Sequence, residues 1–307
     1  MAFAIETRQL SKHYGELPAV KSLRLMIPAG QFHGLLGPNG SGKTTTIHML
    51  CTLTRPDTGT IRITGINALQ HPVKVRQNIG LVFQESALDR SLSVEENLYF
   101  AGALYGLADD VIKQRVDELL QLFDLTDKRQ TRVAALSGGM RRGLDIARGV
   151  LHQPKVLFLD EPTIGLDIIN RRNIWRFIKG LRQQLGMTVL LTTHYLEEAQ
   201  ACDQVSFIRE GELIGQGQPA ALIADLGAYI LEIETHTPEQ HIEIIQPQLG
   251  PPVVDGDRLL FRIPDEAFAV SSLQKQLQAS VQALHIRKPD LNDVYIWKNL
   301  APGSMNL

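Results

Sequence analysis

The 307-residue chain is poor in cysteine and has no long apolar run. Its two cysteines, Cys51 and Cys202, are too few for a disulfide framework and predict reduced, mostly buried thiols of a cytosolic protein. No apolar stretch reaches the roughly 18 residues needed to span a bilayer. The start, MAFAIETRQL, lacks the basic and apolar regions of a signal peptide. The sequence therefore predicts a chain that needs a partner to act at a membrane.

An excess of either charge is also lacking. Lys and Arg number 31 against 33 Asp and Glu, which gives a formal net charge of −2. Because domains that bind nucleic acid are usually strongly basic, this balance predicts no nucleic-acid partner. No solenoid-type repeat and no low-complexity tract interrupts the sequence. The hydrophobic fraction of 44% and the length favour one large globular domain with a smaller one.

Short apolar runs and helical patterns alternate over residues 1–226, which favours an α/β fold. Strands are predicted at Phe3–Leu10, Val20–Ile27, Phe32–Leu36, Ile61–Ile63, Ile79–Phe83, Val156–Leu159, Met187–Leu191, Val205–Ile208 and Glu212–Ile214. Helices are predicted at Lys43–Leu50, Arg141–Leu151, Ile168–Leu185 and Tyr195–Ala201. Helical periodicity without a strand between Ser93 and Phe123 predicts a helical insert at about residues 86–152.

The composition changes after about Leu226, and residues 227–307 are predicted to form a small α+β accessory domain. Its strands are predicted at Tyr229–Ile233, Leu259–Ile263 and Val281–Ile286, and its helices at Glu239–Ile245 and Phe268–Leu277. A last helix begins within Pro289–Tyr295, with acidic residues in its first turn.

A phosphate-binding loop is predicted between the strand Phe32–Leu36 and the helix Lys43–Leu50. The segment Gly37-Pro38-Asn39-Gly40-Ser41-Gly42-Lys43-Thr44 fits the pattern G-x-x-x-x-G-K-S/T in full. Its glycines let backbone N–H groups surround phosphates, and the helix N-terminus adds partial positive charge. Lys43 is expected to reach the β- and γ-phosphates and the Thr44 hydroxyl to bind Mg²⁺. The motif by itself indicates a nucleoside triphosphate and no particular reaction.

Two carboxylates follow the apolar strand Val156–Leu159. Asp160 and Glu161 are expected at the carboxyl edge of a parallel sheet, where ligands bind. Asp160 is predicted to hold Mg²⁺, directly or through water. Glu161 points in a different direction and can act as general base on a water.

A second anion-binding helix start is predicted at Leu136-Ser137-Gly138-Gly139. Ser137 fits a helix N-cap, and the two glycines leave backbone N–H groups accessible at the start of the helix. One nucleotide needs only one phosphate loop. A second such helix start therefore predicts that the nucleotide is sandwiched between two copies of the chain.

Together these motifs resemble the ATP-binding-cassette (ABC) ATPases over roughly residues 3–222. The resemblance implies an α/β P-loop NTPase cassette with an antiparallel β subdomain and a helical insert, and ATP and Mg²⁺ as cofactors. It also assigns roles to further residues. The implied nucleotide contacts are Tyr14 on adenine, Thr45 beside Thr44, Ser137, Gly138 and Gly139 on the γ-phosphate of the opposite subunit, and Asp167 in the D-loop; the implied catalytic residues are Glu161, the Q-loop Gln84 (also a metal contact) and the switch His194.

This sequence departs from the family pattern at two positions. Met140 replaces the usual glutamine after the signature glycines, and Ile164 replaces a small residue before the D-loop. Neither change removes a catalytic group. The adjacent basic pairs Arg141-Arg142 and Arg171-Arg172 are predicted to lie on solvated helix faces.

The continuation Met140-Arg141-Arg142 and the ending Pro289–Tyr295 resemble the ATPase subunits of bacterial drug, polyketide and polysaccharide exporters. This resemblance implies an integral membrane permease as partner, a head-to-tail dimer, and a position at the cytoplasmic face of the membrane. An ABC importer ATPase is one alternative, and a non-transport ABC ATPase acting on ribosomes or DNA is another. A GTPase or small-molecule kinase has no use for the signature loop, and the chain lacks an Asn-Lys-x-Asp guanine motif.

Overall fold

A computed structural model describes residues 2–265 and 281–300 of the chain. These residues form two compact units. The first comprises residues 2–194 and 208–213, and the second the remaining described residues. The hairpin formed by β10 and β11 (Gln204–Arg209 and Glu212–Gly217) is divided between the units. This division differs from the boundary near Leu226 that the composition predicts.

An antiparallel sheet forms one layer of the first unit. The long strand β1 pairs with β2, β3 and β5, and β5 pairs with β6. The bounds of these strands are β1 Phe3–Tyr14, β2 Leu17–Leu23, β3 Met26–Pro28, β5 Thr58–Ile63 and β6 Ile66–Asn67. The single strand predicted at Val20–Ile27 is thus two strands. The break occurs because Ser22 has a φ of 48° and the Thr7 hydroxyl bonds to the backbone of Leu23 and Leu25.

A parallel sheet carries the predicted ligand edge. Four strands lie in the order β4-β9-β8-β7, with bounds β4 Phe32–Leu36, β7 Ile79–Val82, β8 Val156–Asp160 and β9 Thr188–Thr193. The central pair β8 and β9 is fully buried, which explains its near-continuous apolar sequence. In register, Leu36 pairs with Thr193 and Asp160 with Thr192. The carboxyl ends of β4, β8 and β9 therefore lie side by side.

Six helices complete the first unit. They are α1 Lys43–Leu50, α2 Pro72–Arg76, α3 Val94–Leu104, α4 Asp109–Leu122, α5 Gly138–Val150 and α6 Ile168–Leu185, with 3₁₀ turns at Thr126–Lys128 and Val133–Ala135. The predicted helical insert is present, and Ser93 and Glu96 begin α3 with a reciprocal capping box. Helix α5 begins earlier than the predicted Arg141, because Ser137 caps it and the glycines adopt helical conformation. Gly186 ends α6 in a left-handed conformation, as predicted.

The second unit contains a four-stranded antiparallel sheet in the order β13-β14-β12-β15. Its elements are α7 Leu196–Ala199, α8 Pro219–Ala224, β12 Tyr229–Glu234, α9 Pro238–Leu249, β13 Val253–Asp255, β14 Arg258–Ile263, β15 Ala283–Arg287 and α10 Leu291–Leu300. Leu231, Ile233 and Phe261 pack with Ile245 of α9 in one apolar core. The helix predicted at Phe268–Leu277 lies outside the described residues.

Two predictions from what the sequence lacks can be compared with the structure. Cys51 and Cys202 are both buried, as predicted. Over the described parts of the chain, no helix is long and apolar enough to cross a bilayer.

Candidate functional site

The phosphate loop Gly37–Thr44 connects β4 to α1, as its sequence predicts. A Cβ atom at Gly37 would collide with the carbonyl oxygen of Ile208, and one at Gly42 with that of Ala19. Gly42 also has a φ of 104°, a conformation that side chains rarely adopt. Other segments of the same chain therefore pack so closely on this loop that these two positions require glycine. The packing holds the loop in one conformation at the start of α1.

The Lys43 side chain is buried in this loop. Its ammonium donates hydrogen bonds to the carbonyl oxygens of Gly37 and Pro38 at 2.9 and 3.0 Å, and it lies 3.7 Å from Oε1 of Glu161. Burial lowers the pKa of Lys43, an effect that the charges of Glu161 and Asp160 oppose. A buried cation with carbonyl partners keeps donors available for a phosphate ligand.

Asp160 lies at the end of β8 beside Thr44 of the phosphate loop. The Thr44 hydroxyl is 3.3 Å from Oδ1 of Asp160, and the Thr192 hydroxyl donates to the same oxygen at 2.5 Å. A hydroxyl and a carboxylate are the hard oxygen donors that Mg²⁺ prefers. No cluster of three or more His, Cys, Asp or Glu within residues 2–265 and 281–300 could hold a metal alone. The pair therefore fits Mg²⁺ that takes its other ligands from phosphate and water.

Glu161 is the most constrained residue at this edge of the sheet. It is 8% exposed and has a φ of 45°, a left-handed backbone that costs a non-glycine residue about 1–2 kcal/mol. Its N–H donates to the Thr192 hydroxyl at 3.0 Å. Its carboxylate lies between Lys43 and His194, whose Nδ1 is 3.3 Å from Oε2. Strained backbone of this kind persists where the surrounding structure holds a functional group in place.

A cleft of about 630 Å³ is lined by Lys43, Thr44 and Glu161 among other residues. Tyr14, Leu17 and Pro18 line one wall, and Gln84 and Ile164 lie elsewhere in its lining. The lining also includes part of the phosphate loop with Thr45, namely Asn39, Gly40, Gly42, Lys43, Thr44 and Thr45. Half-exposed Tyr14 leaves one aromatic surface available beside the loop. The fold thus brings together the residues predicted for adenine, phosphate, Mg²⁺ and the attacking water.

The signature residues Ser137, Gly138 and Gly139 are not among the described residues that line this cleft. Ser137 caps α5 by accepting a hydrogen bond from the N–H of Met140 at 3.2 Å. The side chain of Asn170 packs directly against Gly139, in space that a Cβ atom there would need. The loop is a preformed helix start away from the chain's own phosphate loop.

Asp167 caps α6 next to the signature loop. Its carboxylate accepts hydrogen bonds from the N–H groups of Ile169 and Asn170, both at 2.9 Å. These bonds, that of Asn170 foremost, lower the pKa of Asp167. Through Asn170, the D-loop and the signature loop form one packed surface in each copy of the chain.

Sequence reasoning missed Arg142. The prediction that Arg142 lies on a solvated face is wrong, because the residue is 8% exposed on the buried side of α5. Burial lowers the pKa of its guanidinium, which the charges of Asp145 and Asp160 partly oppose. The helical spacing from Arg142 to the apolar Ile146 and Val150, at i+4 and i+8, was a usable signal.

Known proteins share this sequence and geometry. Residues 20–164 match the sequence profile of the ABC transporter family. The chain is 40% identical over 301 residues to a daunorubicin resistance ATP-binding protein of Streptomyces coeruleorubidus, with 95% of each chain covered. It is 38% identical over 295 residues to the Nod factor export ATP-binding protein I of Paraburkholderia xenovorans, with 95% of this chain and 96% of the relative covered.

Solved structures of similar proteins have the same fold. CbiO1 of Clostridium perfringens, part of the ABC transporter complex cbiONQ, is 27% identical with a TM-score of 0.68, covering 81% of this chain and 98% of that one. A dimeric ATP-binding cassette in a post-hydrolysis state with ADP and Pi is 26% identical with a TM-score of 0.64, covering 70% and 98%. The predicted α/β cassette fold is confirmed.

Proposed function

This chain belongs to the ABC transporter family as an ATP-binding ATPase subunit, and we propose that it powers export through a separate membrane permease. The observation that carries the proposal is the position of Glu161, held between Lys43 of the phosphate loop and His194. A γ-phosphate bound by Lys43 would lie beside this carboxylate, as hydrolysis by a water requires.

Several residues in and beside the cleft have a role in the proposed reaction. The phosphate loop and Lys43 bind the phosphates, and the ring of Tyr14 stacks on adenine. Mg²⁺, held by Thr44 and Asp160 with Gln84 nearby, would neutralise charge on the phosphate oxygens. Glu161 takes a proton from the attacking water, and His194 orients Glu161 through the 3.3 Å contact.

Hydrolysis is proposed to require two copies arranged head to tail. Ser137, Gly138 and Gly139 then complete the site of the partner by binding its γ-phosphate, which explains why they do not line their own cleft. Next to them, Ile168 and Ile169 begin α6 with both apolar side chains largely exposed. Exposed apolar residues beside a preformed anion site are typical of an interface.

Contact with the permease is proposed at a groove between the helical insert and the sheet. The groove has a volume of about 270 Å³ and is lined by Phe83, Phe100, Leu104 and Tyr105, with Arg148 among its polar residues. Leu104 is 71% exposed. Because Phe83 precedes Gln84, a helix seated here would be linked to the nucleotide cleft through one peptide bond. Such a contact would hold the chain at the cytoplasmic face of the membrane.

The cargo is proposed to be drug-like, lipid-like or polysaccharide. Supporting this class, one relative is a daunorubicin resistance protein and another a Nod factor export protein. Residues 1–226 remain our prediction for the cassette and 227–307 for an accessory domain.

The proposal is tested by capturing the permease. Glu161→Gln protein with bound ATP is used as bait in detergent-solubilised membranes, and the captured proteins are identified by mass spectrometry. A polytopic membrane protein is expected with this bait. It should be lost with Leu104→Asp in the groove and retained with Ile244→Asp, an exposed position on α9.

Capture of ribosomal or DNA-repair proteins without a membrane protein would support a non-transport ATPase. Direction is tested in inside-out vesicles that contain the captured permease. ATP-dependent accumulation of daunorubicin inside these vesicles indicates export, whereas release of preloaded substrate indicates import.

A further inference from the structure

Arg142 lies on α5, one helical turn after the signature loop, and its guanidinium is buried. Its Nε donates to the carbonyl oxygen of Pro162 at 2.6 Å and Nη1 to that of Phe83 at 2.6 Å. Nη2 lies 3.2 Å from the carbonyl oxygen of Asp160 and 3.1 Å from that of Glu161. One planar cation thus contacts four backbone carbonyls in two different segments.

These carbonyls belong to the segments that carry the chemistry. Phe83 directly precedes Gln84, and Asp160, Glu161 and Pro162 form the end of β8 and the turn after it. The turn includes the left-handed backbone at Glu161. A donor that bonds the carbonyls on both sides of this residue holds the turn in its strained conformation.

The same helix holds the other end of the Gln84 segment. Asp145, one turn after Arg142 and also buried, accepts a hydrogen bond from the N–H of Ala87 at 3.3 Å. The segment from Phe83 to Ala87 is therefore bonded to α5 at both ends. Burying an arginine that has carbonyl partners in place of a carboxylate is costly. The physical reason for burying an arginine here is that its N–H groups bond the backbone carbonyls of Phe83, Glu161 and Pro162.

We propose that Arg142 is a positioning residue for ATP hydrolysis, which fixes Glu161 and Gln84 relative to each other and to the signature helix. It touches neither nucleotide nor water and acts through backbone carbonyls. The inference rests on the proposed roles of Glu161 and Gln84. Because Arg142 does not line the nucleotide cleft, it affects the hydrolysis rate and not the affinity for ATP.

The test separates kcat from ATP affinity in the full-length protein. Arg142→Gln is expected to lower kcat by roughly 10- to 100-fold, because a catalytic group displaced by about 1 Å loses that much rate. Its affinity for a fluorescent ATP analogue should stay within about twofold. Arg142→Lys, which keeps the charge and part of the hydrogen bonding, should recover an intermediate kcat.

Two control variants exclude a purely structural effect. Arg172→Gln removes a positive charge from the exposed face of α6 and should leave kcat unchanged. Val116→Ala removes a buried methyl pair in the helical insert and supplies a variant with lowered melting temperature. If Arg142→Gln has wild-type kcat, the proposal is wrong. It is equally wrong if kcat and ATP affinity of Arg142→Gln fall together and Val116→Ala shows the same pattern.

Should Arg142→Gln fail to fold, Arg142→Lys decides alone: a reduced kcat with unchanged ATP affinity supports the proposal, and an unchanged kcat refutes it. Failure of the proposed role of Glu161 gives a different result, because the Glu161→Gln variant would then release phosphate from ATP at the wild-type rate.

Discussion

Opposite charges meet in two regions of this protein, and their geometries differ. In the nucleotide cleft, Glu161 lies 3.7 Å from Lys43 and 3.3 Å from His194. In the second unit, Arg287 makes two parallel hydrogen bonds of 2.7 Å to Asp293 and a third to Glu232 at 3.2 Å. The first cluster joins two buried residues, Lys43 and Glu161, to the exposed His194 through long pairs, whereas the second has the bidentate geometry of a strong pair.

The difference indicates what each cluster is for. Bidentate geometry satisfies both carboxylate oxygens of Asp293 and fixes α10 on β15. The bonds to Asp293 raise the pKa of Arg287, so its guanidinium stays charged. The contact between Lys43 and Glu161 is 3.7 Å, longer than a direct hydrogen bond. Loose pairing of two buried charges is typical of a functional site, and bidentate pairing is typical of a structural one.

The largest effect is expected for the central carboxylate of the first cluster. Glu161→Gln should lower the rate of ATP hydrolysis by on the order of 10²–10⁴-fold, because the amide cannot take a proton from water. ATP should still bind. Phosphate release and binding of a fluorescent ATP analogue measure the two effects separately. Glu232→Gln makes the same change in the second cluster and should leave phosphate release unchanged; equal losses in both variants would remove the contrast.

A second large effect is expected at the cation of the first cluster. Lys43→Ala should weaken ATP binding by roughly 100-fold, since charged hydrogen bonds to phosphate are lost. Lys155→Ala, at an exposed lysine just before β8, is the control and should bind ATP normally. Isothermal titration with ATP gives both affinities. An unchanged affinity in Lys43→Ala would contradict the assignment of the phosphate loop.

A partly buried histidine outside both clusters extends the comparison. His152 stacks on Tyr105 with ring centroids 3.7 Å apart and donates from Nε2 to the carbonyl oxygen of Ile79. Burial lowers its pKa from 6.5 to about 4. Folding therefore favours the neutral form of His152. Its contribution to the free energy of unfolding is fully present above pH 6.5 and is lost as the pH falls towards 4.

The loss is expected to be about 2 kcal/mol of unfolding free energy between pH 6.5 and 4. Urea unfolding at several pH values measures it in the wild-type protein. His152→Phe keeps the stacked ring and cannot titrate, so its stability should fall less over the same range. Parallel pH profiles of the two proteins would show that another group is responsible.

The smallest effect is expected in the well-paired cluster. Asp293→Asn should lower the stability of the second unit by about 1 kcal/mol, a value reduced because Arg287 is partly exposed. The chain has two tryptophans, so a Trp175→Phe background leaves Trp297 of α10 as the fluorescence probe for urea unfolding. Phosphate release should be unaffected. A kcat decrease in this variant would indicate that the second cluster also serves hydrolysis.

Prediction from sequence succeeded where a short pattern and its function require the same backbone. The loop Gly37–Thr44 was predicted between the correct strand and helix, because G-x-x-x-x-G-K-S/T specifies both the glycine conformations and the helix start. Asp160 and Glu161 could be placed because they end a continuous apolar strand, and parallel strands end at one edge. The role of His194 beside Glu161 was implied only by resemblance. His194 follows β9 and Glu161 follows β8, and helix α6 separates these two strands along the chain.

Other features could not be predicted from local patterns. The stretch Val20–Ile27 is continuously compatible with a strand, yet the Thr7 side chain from another strand divides it. Arg142 looked like half of a solvated basic pair, yet the packing of α5 against the ends of β7 and β8 buries it. In both cases the deciding partner lies far away along the chain.

The sequence by itself determined the phosphate loop, the strand-end carboxylates, the signature helix start and the α/β class, because each depends on residues within one turn or one strand. Only the tertiary structure decided that Lys43, Glu161 and His194 form one cluster and that Arg142 bonds the backbone around Glu161. Those contacts join segments separated by long stretches of chain. They exist because the parallel register of β4, β8 and β9 brings the strand ends together and because α5 packs beside them.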